Sequence, residues 1–244
     1  MAEHSRLKDE HAHFMKAVRK ERRVKRQGGG KERKGPLSGK RQENKKATQE
    51  KILQVALELF STRGFYKTTT RQISRKAGVA EGTLFNYFRS KEDLALYFFE
   101  QEVQGIIDWF QGEKSLRDAT VVEQLFAIVH RHLERMAPYE EFIGAVYLRA
   151  LQPVSKLHPM SLESQSLNLR YLRFIREILE RAEQEEEIPV VGDLGAWAFG
   201  LFHVGILTYW LHDESRGKER TLALLDRSLK FARAILRRGG DWNW

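Results

Sequence analysis

The sequence predicts an all-α protein with a small N-terminal three-helix domain and a larger helical C-terminal domain. Three observations carry that reading. Apolar residues recur at steps of three and four from residue 48 onward, and strand-like alternation is scarce. Capping residues and Gly or Pro stops divide these stripes into helices joined by short connections. Charge is also split along the 244 residues: the formal net charge is +9, yet residues 1–46 hold 16 Lys and Arg against 6 Asp and Glu. Residues 47–91 hold 8 against 3, and residues 92–244 hold 18 against 24. A basic front joined to a mildly acidic body points to a polyanionic partner for the front.

The elements follow in order. Residues 1–46 read as a basic, disordered arm, since Arg19, Lys20, Arg22, Arg23, Lys25 and Arg26 repel one another and Gly28–Gly30 and Gly35-Pro36 interrupt helices. A domain over 47–93 starts with a helix from Thr48, whose stripe is Ile52, Leu53, Ala56, Leu59 and Phe60; Gly64 closes it in the left-handed region. Thr69 and Gln72 form a capping box for a short second helix that Gly78 ends. A third helix covers 81–88. The domain over 94–238 begins within a fourth helix that Ser90 caps and that runs to about residue 110. Further helices are predicted over 121–136, 140–151, 161–187, 194–211 and 221–238, with Pro138, Pro153 and Pro189 beyond three of their ends. Residues 239–244 form a tail.

Several function classes are disfavoured. Cysteine is absent, which removes disulfides, thiolate metal sites and cysteine nucleophiles. No phosphate-cradling glycine loop or nucleophile elbow is present, so an enzyme is not expected, nor is a cofactor. His130 with His132, and His11 with His13, are two residues apart and face different ways on a helix, so no metal site is expected. Residues 194–211 carry no formal charge over eighteen positions, near the length of a membrane span. Gly195, Gly200, Gly205, His203 and Thr208 within them favour a buried or interface helix instead. No export signal precedes residue 52, and a cytoplasmic, nucleoid-associated protein without a membrane partner is expected.

The short helices around Gly78 carry the functional signal. Ile73 and Ala77 share one face of the first, Leu84 and Phe88 one face of the second, and Gly78-Val79-Ala80 is a three-residue turn. That spacing is helix-turn-helix geometry, whose second helix enters the major groove of double-stranded DNA. Glu81, Gly82, Thr83, Asn86 and Tyr87 are available near its outer face. Gly82 permits close backbone approach, Thr83 can meet a phosphate or a thymine methyl, and Asn86 can read an adenine edge.

The run from Phe60 through Gly64-Phe65, Thr68-Thr69, Ile73, Ala77-Gly78-Val79-Ala80-Glu81-Gly82-Thr83-Leu84-Phe85-Asn86-Tyr87-Phe88 to Ser90-Lys91-Glu92-Asp93-Leu94 resembles the DNA-binding domain of TetR/AcrR-type transcriptional regulators. The resemblance covers about residues 48–94. It implies that Thr69, Thr70, Tyr87 and Lys91 meet phosphates, and that Arg71, Glu81, Thr83, Phe85 and Asn86 approach bases or nearby backbone. Three positions depart from the family habit. Ala80 stands where serine often caps the recognition helix, Phe85 where tyrosine is common, and Glu81 where a basic residue is common; these bear on which operator is read.

For the rest of the chain, the resemblance implies a homodimer through a four-helix bundle and a cavity for a small-molecule effector. Trp197, Gly200, Leu201 and Val204 of the glycine-spaced helix, with Leu222, Leu225 and Leu229 of the last, are the expected dimer face. Trp109, Phe126, His130, Phe142, Tyr147, Tyr171 and His203, with Met136 beside them, are the expected cavity lining, suited to an apolar or amphipathic molecule. The reading is a ligand-responsive regulator, a repressor on a palindromic operator, in which effector binding moves the helix that starts at Ser90. The alternative is a sequence-independent nucleic-acid-coating protein driven by the basic arm.

Overall fold

The computed structural model describes residues 36–239, and among them every regular element is helical. The order is α1 (Pro36–Arg63), α2 (Thr70–Ala77), α3 (Glu81–Tyr87), α4 (Lys91–Gly112) and the single turn α5 (Lys114–Arg117). It continues with α6 (Val121–Met136), α7 (Glu140–Ala150), α8 (Leu162–Gln184), α9 (Gly192–His212) and α10 (Glu219–Gly239). Short 3-10 turns at Ala137–Tyr139 and Arg216–Lys218 lead into α7 and α10.

The chain divides into two compact units between Glu50 and Lys51. Within the first, the described residues form the leading part of α1, where the Thr48 hydroxyl donates to the Asn44 carbonyl at 2.9 Å. The start of α1 corrects the sequence reading, which assigned residues 36–46 to the disordered arm and took Gly35-Pro36 as a break. Proline has no N–H to lose in a first turn and its fixed φ suits that position, so Pro36 opens a helix here. The remaining arm residues and the tail 240–244 lie outside the described residues.

The second unit begins with a three-helix head. Ile52, Leu53, Ala56 and Phe60 of α1 meet Ile73 and Ala77 of α2 and Leu84 of α3, all buried. Local chemistry fixes the ends of these helices. The Thr69 hydroxyl accepts from Gln72 N–H while the Gln72 side chain accepts from Thr69 N–H, and Gly78 takes φ +65° to turn the chain into α3. Ser90 accepts from Asp93 N–H at the start of α4. A second capping box, Thr120 with Glu123, opens α6 and was not foreseen.

Head and body share one apolar core. Phe142 of α7 stacks on Phe60 of α1 at 5.1 Å and lies edge-on to Phe98 of α4 at 5.5 Å. Its burial there makes Phe142 a joint between head and body, because it packs against Phe60 and Phe65 of the head and Phe98 of α4. In the body, α9 packs most extensively against α8. The small residues of α9 serve that contact: a Cβ on Gly200 would stand 3.1 Å from Leu172 Cδ2 of α8.

Candidate nucleic-acid interface and effector site

On α3, Leu84 is fully buried and Phe88 just beyond it nearly so, which pins the helix by one face. The opposite face is free: Glu81, Gly82, Phe85 and Asn86 are exposed and Thr83 half-buried. An element one helix wide, held by two apolar residues and offering polar groups outward, is the shape that a major groove admits. Around it, Arg71 is exposed on α2 and Thr70 half-buried, while Tyr87 is half-buried against the core. Ala80 provides no side-chain hydrogen bond at the start of α3, as its methyl group requires.

Lys91 is more engaged than its sequence position suggests. Its ammonium donates to the carbonyls of Phe65 at 2.6 Å and Tyr66 at 3.3 Å and sits 4.8 Å from the centre of the Phe65 ring. Burial lowers its pKa. Lys91 thus clasps the turn after α1, where the buried Thr68 hydroxyl also donates to Gly64 O and Leu59 O.

The first turn of α4 is tied to the body by ion pairs. Arg149 at the end of α7 donates to Glu92 at 2.6 Å, and Lys156 in the following loop pairs with Asp93 at 2.7 Å. The Lys156 N–H also donates to Glu92, and Tyr66 reaches the Ala145 carbonyl of α7 at 3.2 Å. Lower on α4, Glu102 takes both N–H groups of the Arg135 fork on α6, at 2.8 and 3.0 Å. These contacts join α6, α7 and the loop after α7 to the helix that follows the head.

Two adjoining grooves lie between α4 and α8, of about 530 and 360 Å³. Both contain Gln111, Phe174 and Glu177; the larger adds Ile107, Leu169, Arg170 and Arg173, the smaller Arg117 and Arg181. None of the residues expected to line a cavity borders either groove. Trp109 instead carries Arg131 over its ring at 5.7 Å, and Phe126 stacks with His130 at 5.8 Å. Met136 is buried, and Tyr147 receives a hydrogen bond from Thr208 at 2.8 Å. Tyr171 and His203 do come together: the Tyr171 hydroxyl is 2.5 Å from His203 Nδ1, and His203 Nε2 is 3.2 Å from His132 Nδ1. His132 is the residue that sequence reasoning passed over. Its nearest histidine in sequence, His130, faces elsewhere, and its partner is on α9. Among the described residues no cluster of three or more His, Cys, Asp or Glu could hold a metal.

The expected dimer residues fall on two sides. Trp197, Leu201 and Val204 of α9 are exposed. Gly200 faces Leu172 of its own chain, and Leu222 is half-buried. Leu225 and Leu229 are buried within the chain and are corrected from interface to core; α10 instead exposes Leu224, Phe231 and Ile235. The α10 stripe packs one side inward, and sequence periodicity alone gives no choice between a partner in the same chain and one in another. α9 is long and apolar enough to cross a membrane by length and composition, but its apolar surface has this second explanation.

Residues 52–98 match the family model described as bacterial regulatory proteins of the tetR family, and residues 124–240 match the tetracyclin repressor-like C-terminal domain. The fatty acid metabolism regulator protein of Bacillus subtilis is 27% identical over 167 residues, 67% of this chain and 84% of that protein. Among solved structures, the transcriptional regulator FadR from Bacillus subtilis in complex with stearoyl-CoA superposes with a TM-score of 0.59 at 22% identity, covering 74% of this chain and 95% of that one. FadR from Thermus thermophilus in complex with lauroyl-CoA gives 0.54 at 21% identity, covering 80% and 96%. These structural likenesses establish the fold. Nothing in the comparisons favours a sequence-independent coating protein. With the helix-turn-helix head, the helical body and both domain matches in agreement, the chain belongs to the TetR family of bacterial regulatory proteins and is a DNA-binding transcriptional regulator.

Proposed function

We propose that this regulator is a repressor that acts as a homodimer on a palindromic operator and is released by a long-chain acyl thioester of coenzyme A. The observation that carries the DNA half is α3 itself, pinned by Leu84 and Phe88 with Thr83, Phe85 and Asn86 on its outer side. Thr83 and Asn86 take base edges, Glu81 accepts from a cytosine amino group, and Gly82 lets the helix backbone approach. Phe85 supplies an apolar contact, while Arg71, Thr69, Thr70 and Tyr87 serve the phosphate backbone and Lys91 holds the turn between α1 and α2 in place for them. Two copies joined through the exposed sides of α9 and α10 present their α3 helices to grooves about 34–36 Å apart.

The effector assignment is supported by the acyl-CoA complexes of structurally similar regulators and by the α4–α8 grooves. Ile107, Leu169 and Phe174 offer an apolar floor, and Arg117, Arg170, Arg173 and Arg181 offer charge for an anionic head group. An occupied groove moves α4 against its clamps to α6 and α7, which favours a head spacing that no longer fits DNA.

Footprinting of the full chain on genomic binding sites, followed by titration with hexadecanoyl-CoA, tests this reading. The expected result is a two-fold symmetric footprint, lost on Thr83→Ala with Asn86→Ala and released by micromolar thioester but not by free coenzyme A. Uniform protection at all sites, or a footprint that no acyl-CoA releases, contradicts it.

A further inference from the structure

Two lysines of the head are engaged within it. Lys91 donates to the Phe65 and Tyr66 carbonyls, and Lys76 at the end of α2 pairs with Glu58 of α1 at 2.6 Å. A third is placed differently. Lys51 precedes Glu58 by seven residues, so the two share one side of α1, and that side runs along the end of α2. The Lys51 ammonium reaches the turn that leads into α3: a Cβ on Gly78 would stand 3.7 Å from its Nζ.

The turn holds this ammonium without engaging it. The Ser74 and Arg75 carbonyls are already taken by the N–H groups of Val79 and Gly78. The carbonyl end of α2 still carries partial negative charge, which attracts a cation. Gly78, at φ +65°, brings no side chain into the space beside the ammonium. Lys51 is exposed, and its side chain has no hydrogen bond or ion pair among the described residues.

We infer that Lys51 is a phosphate-binding residue of the DNA complex, set at the turn before α3. A recognition helix meets base edges with its N-terminal residues, so the turn just before Glu81 comes against the rim of the groove, where the sugar–phosphate strand runs. An ammonium on a flexible four-carbon stem suits that strand, because it meets a phosphate as a point charge and needs no fixed orientation. Glu81 brings a carboxylate to the first turn of α3, and a cation at the turn offsets its repulsion from phosphate. Lys91, the lysine that the family resemblance assigns to phosphate, is occupied by carbonyls, and Lys51 supplies the charge in its place. This inference rests on the placement of α3 in the groove.

The test measures affinity of the full chain for the footprinted operator and for an unrelated duplex between about 50 and 200 mM salt. Wild type, Lys51→Gln and Lys51→Arg are compared, with a urea midpoint for each. Lys51→Gln is expected to weaken binding to both duplexes by the same factor. It also makes the slope of log affinity against log salt shallower by about 0.9 for each head bound, at an unchanged urea midpoint. Lys51→Arg restores the slope. A Lys51→Gln slope equal to that of wild type overturns the inference, and a lowered urea midpoint beside it would assign the ammonium to the end of α2 alone. Operator binding that survives Thr83→Ala with Asn86→Ala overturns the placement of α3 and the Lys51 contact together.

Discussion

At Ala80, a methyl group stands where the start of α3 has no side-chain acceptor for its first N–H groups. Ala80→Ser supplies one and is expected to raise stability by about 1 kcal/mol, read as a shift in the urea midpoint at unchanged slope. An unchanged or lower midpoint would show that the recognition helix needs no cap. The buried histidines give a pH dependence with a definite sign. His203 is held down at about 4 and His132 lower than its usual 6.5, in both cases mainly by burial. Between about pH 6.5 and 4 the unfolded chain binds protons that the folded chain refuses, so stability is complete above that window and falls as pH drops through it. Melting temperatures between pH 7 and 5 should fall more steeply for wild type than for His203→Gln. Parallel curves would mean that the imidazole is not shielded from water.

Among the elements, α4 carries the coupling in the proposed switch, and its first turn is the place to cut it. Glu92→Gln and Arg149→Ala remove the charge contact between α4 and α7 but leave α3 untouched. Such a variant is expected to keep operator affinity within a few fold while losing most of the effector's influence on it. Full retention of release would move the transmission to Phe142 and the Glu102–Arg135 pair. Much of this architecture was legible in the sequence because it is local. The Thr69–Gln72 box, the Gly78 turn and the Ser90 cap each depend on residues within three positions, and each forms as read. What was not legible is long-range. Leu225 and Leu229 share a stripe with no mark of whether its neighbour is α6 of the same chain or another subunit. His132 gained its meaning only when the fold brought α6 against α9, 71 positions away. The start of α1 was missed for a different reason: proline was read as a breaker where it serves as an opener.

For the whole molecule, the proposed function requires two heads at a fixed separation, and the exposed apolar sides of α9 and α10 are the proposed seat of a second copy. Trp197, Leu201, Val204, Phe231 and Ile235 are all exposed large apolar side chains on these two helices. Trp197→Asp with Leu201→Asp is expected to yield monomers at micromolar concentration by sedimentation equilibrium, with operator binding lost and the fold retained by circular dichroism. Dimers that survive both charges would place the interface elsewhere. The central claim is that one equilibrium links the groove in the body to the DNA-facing helix, and linkage makes it measurable from either end. The direct measurement is the Kd of hexadecanoyl-CoA for the free protein and for the operator-bound protein. The account predicts weaker binding to the DNA complex by a factor of ten or more, equal to the factor by which the thioester weakens DNA binding. Equal affinities for the free and DNA-bound forms would contradict it.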